Sequence, residues 1–186
     1  MGEIKNNPMM STASGMVGNT VVFRQVRGKL LVANRPRRGR TPSEKQLAIQ
    51  RRFTNAAAYA KEVLKDPVTK ARYEEGIGLN KFTAHMVAVS DYLNAPRVEN
   101  INVSEYKGVP GNVILVEATD DFAVTQVQVS ITSGGTIVES GEAVQDQINK
   151  QLWRYTATVA VTLANAVVQA SAYDLPGNKT SLDKAL

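Results

Sequence analysis

A chain of 186 residues without cysteine excludes disulfide staples, thiolate metal sites and cysteine nucleophiles, and its length suits one large domain or two small ones. An apolar fraction of 43% is ordinary for a globular protein and too high for general disorder, and no apolar run is long enough to predict a membrane-spanning helix. The net charge of +5 is unevenly spread: residues 1–95 hold 16 Lys/Arg against 7 Asp/Glu, whereas residues 96–186 hold 6 against 10.

Such an asymmetry predicts two halves with different work. The basic half could attract phosphate, an anionic surface or an acidic protein, and the acidic half could be its counterpart in a neighbouring copy. The start, Met1-Gly2-Glu3-Ile4-Lys5-Asn6, lacks the apolar core of a signal peptide and the Ser or Thr of a myristoylation pattern. Cytoplasmic synthesis is therefore expected, with later incorporation into a particle left open.

Residues 1–20, rich in Ser, Thr, Gly, Asn and Met, read as a flexible arm. From Asn19 to Asn34, two β-rich runs flank Arg27-Gly28-Lys29, which predicts a hairpin that must pack on something else to be stable. Arg35-Pro36-Arg37-Arg38-Gly39-Arg40 follows as an extended basic linker. Thr41-Pro42-Ser43-Glu44 is a helix start, with Thr41 as cap, Pro42 in the first position and Glu44 closing a capping box. The helix is expected to reach about Leu64, with Ile49, Phe53, Ala56, Ala60 and Val63 as its apolar stripe. Asp66-Pro67 starts a second, short helix. Asn80 is the expected cap of a third, running to about Asn94 with Phe82, Met86, Val89 and Leu93 buried. Ala95-Pro96 closes the segment.

Beyond it the period changes to two. Val98–Ser104, Val113–Thr119, Val124–Ser133, Thr136–Glu139, Trp153–Thr162 and Val167–Tyr173 are short, β-branched and separated by turn residues. Their number and spacing fit an antiparallel sandwich with Trp153 and Tyr155 in its core. Tyr59, Tyr73 and Tyr92 are expected to help join the helices. The fold class is thus α+β: a hairpin with about three helices over residues 21–95, then a β-sandwich over 96–186.

Three segments carry a resemblance for the second half. They are Ala118-Thr119-Asp120-Asp121-Phe122-Ala123-Val124-Thr125-Gln126-Val127, the Trp153-Arg154-Tyr155-Thr156-Ala157 strand, and Ala170-Ser171-Ala172-Tyr173-Asp174-Leu175-Pro176-Gly177-Asn178. Together they resemble bacterial immunoglobulin-like domains over roughly residues 97–183, without the cysteine pair of antibody domains. Further segments are Ser14-Gly15-Met16-Val17-Gly18-Asn19-Thr20-Val21-Val22-Phe23-Arg24, Thr41-Pro42-Ser43-Glu44 and Ala58-Tyr59-Ala60-Lys61. Through these the whole chain resembles an uncharacterised family of short Bacteroidetes proteins. That resemblance implies no activity; it implies association with phage or phage-like particles.

Catalysis has little to stand on. His85 is the only histidine and lies in the third predicted helix beside its apolar stripe, and no Gly-x-Ser-x-Gly elbow is present. Gly134-Gly135 falls between strands, not before a helix, so phosphate-loop and dinucleotide fingerprints are absent. Asp120 and Asp121 could ligate calcium with Asp174 and Asn178, since hard cations want clustered oxygens. Adjacent aspartates at a strand edge equally make ordinary turns, and no metal, cofactor or catalytic residue is assigned.

Arg24, Arg27, Lys29, Arg35, Arg37, Arg38 and Arg40 form an uninterrupted basic set and are the candidate partner-binding residues. They could neutralise phosphates without sequence preference, dock on an acidic protein, or keep a hairpin edge solvated. The expected function is a non-enzymatic assembly or adaptor role with protein partners in a homo- or hetero-oligomer. Sequence-independent nucleic-acid binding is the alternative, and neither a membrane nor a small-molecule substrate is expected.

Overall fold

The computed structural model describes residues 2–4, 13–26, 29–35 and 41–186, residues 2–4 by their backbone alone. The chain separates into two compact units, Met1–Ser43 and Glu44–Leu186. The helices thus stand with the strands that follow them, whereas charge and periodicity group them with the preceding hairpin.

In the first unit, β1 (Gly2–Ile4), β2 (Gly15–Val17), β3 (Val21–Val26) and β4 (Lys29–Asn34) form an antiparallel sheet in the order β1-β4-β3-β2. The β3–β4 register runs from Val21 opposite Asn34 to Val26 opposite Lys29. Residues expected in a flexible arm supply both outer strands. A two-stranded hairpin is marginal in water, and a strand on each edge pairs backbone groups it would leave open. Because side chains alternate, Phe23 shares a face with Leu30 and Val32, and Arg24 and Val26 share the other with Lys29 and Leu31.

The second unit opens with three helices, α1 (Glu44–Val63), α2 (Pro67–Glu74) and α3 (Ala84–Leu93). Asp66 caps α2 by accepting from Thr69 N at 2.9 Å, with Pro67 in the first position. Thr83, not Asn80, caps α3, its hydroxyl accepting from Met86 N at 3.2 Å. The backbone from Gly78 to Lys81 closes a turn instead of starting the helix.

The apolar stripes are narrower than the periodicity predicts. In α1, Ala56 and Ala60 are buried, while Phe53 is 57% and Ile49 69% exposed, and all residues from Glu44 to Asn55 are exposed. In α3 the buried set is Ala84, Val87, Ala88, Val89 and Asp91, and Phe82 and Met86 face outward. Small residues set this phase: alanines on α1 and α3 let the two backbones approach, and the larger side chains rotate out.

The strands that follow are β5 (Arg97–Asn102), β6 (Val113–Thr119), β7 (Gln126–Ser133), β8 (Thr136–Glu142), β9 (Val144–Gln145), β10 (Leu152–Thr156), β11 (Ala166–Tyr173) and β12 (Lys179–Ala185). They make two four-stranded antiparallel sheets, β5-β6-β10-β9 and β12-β11-β7-β8. Ile114, Val116, Trp153 and Tyr155 from the first sheet meet Val129, Ile131, Val168 and Ala170 from the second in one core. Period-two alternation along β7 and β11 produces that inner face.

Strand registers give the sandwich two ends. Thr119, Gln126, Tyr173 and Lys179 bring the β6–β7 and β11–β12 connections to one end; Ser133, Thr136, Thr156 and Ala166 mark the other. At that other end, Gly108 at φ +73° lets its loop press on the next: an added Cβ would lie 2.2 Å from the Val161 carbonyl oxygen. The helices close the first end. Tyr73, Val87 and Ala88 share their core with Phe122 from the β6–β7 connection and Leu175 from the β11–β12 connection. The Tyr73 and Phe122 rings stack at 4.9 Å. No described helix is long and apolar enough to cross a membrane.

Candidate functional site

At this closed end three carboxylates converge. Asp91 comes from the last turn of α3, Asp120 from the β6–β7 connection and Asp174 from the β11–β12 connection. One oxygen of each lies within 4.8 Å of the others. Asp91 is fully buried at 0% exposure, Asp174 is buried and Asp120 half-buried.

Each carboxylate is held from behind. The Tyr73 hydroxyl donates to Asp91 Oδ2 at 2.7 Å, and the Tyr59 and Tyr73 hydroxyls share a hydrogen bond of 3.0 Å. Phe122 N and Ala123 N donate to Asp120 Oδ2 at 3.1 and 3.0 Å, an Asx turn that explains why Asp opens this connection. Asn178 donates twice to Asp174, from its backbone N at 2.6 Å and from Nδ2 at 2.7 Å. The same Nδ2 approaches the Asp91 and Tyr92 carbonyl oxygens at 3.3 Å, tying α3 to the β11–β12 connection.

Two oxygens remain without a partner: Asp91 Oδ1 and Asp120 Oδ1 are both buried and accept no hydrogen bond. Among the described residues, no Lys or Arg forms an ion pair with any of the three carboxylates. Burial therefore pushes Asp91 up to about 7; the Tyr73 hydrogen bond opposes this, and the Asp120 and Asp174 charges add to it. Asp174 is raised for the same leading reason, against the hydrogen bonds from Asn178.

Asp121 goes elsewhere. It accepts from Lys81 Nζ at 2.7 Å, and from Ser90 and Asn94. Burial raises its pKa, but these partners outweigh burial and hold it below the ordinary carboxylate range. Of the calcium candidates read from sequence, the fold joins Asp120 and Asp174, turns Asp121 to Lys81, and uses Asn178 as a donor. Asp91 is the member that sequence reasoning missed. Its signal was present: Ala84, Val87, Ala88 and Asp91 follow the i, i+3, i+4, i+7 spacing of one buried stripe, with a carboxylate at its end.

The candidate partner-binding residues are only partly within the described segments. Arg24, Lys29 and Arg35 are exposed; Arg27, Arg37, Arg38 and Arg40 lie outside the described residues. The β3–β4 register places Arg24 and Lys29 on one face, together with Val26. Arg35 donates to Asn19 Oδ1 at 2.9 Å, while its backbone N donates to the Thr20 carbonyl. His85 is exposed on α3.

No family model matches the chain, and no curated protein matches it. Among solved structures it is similar to the crystal structure of an engineered protein, at 14% identity and a TM-score of 0.34, over 58% of this chain and 23% of that one. The chain thus spans under a quarter of that structure's length, and a likeness at that score carries no argument about fold or function.

Proposed function

We propose that the protein is a non-enzymatic assembly or adaptor component of a larger particle, docking through its basic N-terminal half and presenting an immunoglobulin-like sandwich. One observation carries the reading. Among the described side chains of the N-terminal sheet, Leu30 alone is buried, while Met16, Val17 and Val26 are exposed. A sheet with so little core of its own gains stability by covering a face against a partner. The face that carries Arg24 and Lys29 also carries Val26, a mixture that suits an acidic protein surface better than bare phosphate.

The immunoglobulin-like reading is supported by strand order. Lettered from β5, with the short β9 as D, the sheets read A-B-E-D facing G-F-C-C′, the order of immunoglobulin-like sandwiches. Trp153 departs from the antibody pattern, standing on β10 in the E position instead of on strand C. The resemblance to short Bacteroidetes proteins makes a phage-like particle the natural setting.

Sedimentation velocity of the full chain and of residues 44–186 tests the proposal, beside duplex binding across a salt series. Docking between copies, acidic half against basic half, predicts a defined oligomer for the full chain and a monomer for 44–186. A monomeric full chain would overturn the self-assembling form. Duplex binding with a steep salt slope, abolished by Arg37→Glu, Arg38→Glu and Arg40→Glu together, would put nucleic acid in place of protein.

A further inference from the structure

The geometry points to a binding site for a hard divalent cation of the calcium class, formed by Asp91, Asp120 and Asp174 where the helices meet the sandwich. Three observations bring the ligands together. First, one oxygen from each carboxylate falls within 4.8 Å of the others. Three oxygens that close lie at most about 2.8 Å from a common centre, near calcium–oxygen distances of about 2.3–2.6 Å, so a small inward shift lets one ion touch all three.

Second, Asp91 Oδ1 and Asp120 Oδ1 are buried without any hydrogen-bond partner, on a side chain with no exposed surface in the first case. A buried carboxylate oxygen without a donor is costly, and native structures rarely keep two side by side. Third, neighbouring groups already hold each carboxylate: Tyr73 on Asp91 Oδ2, two backbone N–H groups on Asp120 Oδ2, and Asn178 on both oxygens of Asp174. Such outer partners orient ligating carboxylates and leave one lone-pair direction free.

The competing way to discharge the cluster is a proton shared between Asp91 and Asp120. One proton bridges two oxygens and leaves the Asp174 charge in place, whereas a divalent ion engages all three. Two surface grooves reach Asp120, the outermost of the three carboxylates. One is bounded by Arg72, Gly76 and Phe122, the other by Arg52, Arg97 and Glu99. Arginines at both mouths leave the attraction to the carboxylates themselves. With three carboxylates and water completing the shell, affinity is expected on the order of 10⁻⁵–10⁻³ M.

The test uses the full chain, stripped with chelator, in two measurements. Terbium, excited through Tyr73 beside Asp91, is expected to give saturable emission that calcium displaces. Calcium is expected to raise the melting temperature. Asp91→Asn and Asp120→Asn, each near-isosteric, should weaken terbium binding at least about tenfold. Asp183→Asn, an exposed aspartate on β12, should leave it unchanged. Absence of saturable terbium emission from the folded wild-type chain would overturn the proposal. So would an Asp91→Asn variant that melts higher while binding terbium as well as wild type, the behaviour of a shared proton with adventitious surface binding.

Discussion

Glu139 on β8 is only 6% exposed yet charged, and its partners explain why it is tolerated. Its Oε1 accepts from the Tyr155 hydroxyl at 2.8 Å, Thr158 N at 2.6 Å and Thr158 Oγ1 at 2.8 Å. Burial raises its pKa, but the Thr158 and Tyr155 hydrogen bonds outweigh burial and hold it below the ordinary glutamate value. A depressed folded-state pKa contributes stability above the unfolded value of 4.5, lost as pH falls through the folded one. Glu139→Ala is expected to cost about 2–3 kcal/mol at pH 7, because Tyr155 and Thr158 are left without their acceptor. Glu139→Gln keeps an oxygen there and should cost less, while flattening the loss of stability below about pH 4.5. Urea titrations of the three proteins at pH 7 and pH 3.5 separate these effects. A glutamate at an alternating strand position reads from sequence as an outward residue. Only the packing of Tyr155 and the 157–159 segment around it shows otherwise.

Among the elements, α1 was legible in its extent and misleading in its face. The spacing of Ile49, Phe53, Ala56, Ala60 and Val63 is helical, and the helix forms over Glu44–Val63. Periodicity cannot say how far along a stripe the neighbour reaches, and here α3 covers only the second half. Ile49→Ser or Phe53→Ser should therefore change stability by less than about 0.5 kcal/mol, as exposed substitutions do. Ala60→Leu, at a position with no exposed surface against α3, should cost about 1–3 kcal/mol by overpacking. Thermal melts of the two classes check the contrast; equal losses would mean that α1 packs along its whole length. Strand β12 was unreadable for the converse reason. Lys179-Thr180-Ser181-Leu182-Asp183-Lys184-Ala185 lies at a sheet edge with almost no buried side chain, so its pairing with β11 left no alternation to detect. The inner strands β7 and β10 were legible because both their sequence pattern and their burial have period two. The carboxylate cluster was half legible: the acidic pair and the Asp174 turn stood out, but nothing in the chain between them announces that α3 docks there.

For the molecule as a whole, the joint between helices and sandwich decides how it unfolds. Tyr73 stacks on Phe122, Leu175 enters the helical core, and Asn178 reaches the carbonyls of Asp91 and Tyr92. The helices have too few buried residues to stand alone, so they depend on this joint. Residues 44–186 expressed alone are expected to fold and to melt in one transition, with helical and sheet signals in far-ultraviolet circular dichroism falling together. A separate, earlier loss of helix would show that the joint is weaker than its contacts imply.

The three aspartates stand on three separate stretches of chain, tens of residues apart, yet no one of them is at liberty alone. Loss of Asp91 leaves Tyr73 without its acceptor; loss of Asp174 releases both donors of Asn178, and with them the tie to α3. A relative that discards one carboxylate must find new partners for the groups it held, or discard the others too. Positions 73, 91, 120, 174 and 178 should accordingly be inherited as a block, kept together or replaced together, while Asp121, next in sequence to one of them, drifts with Lys81.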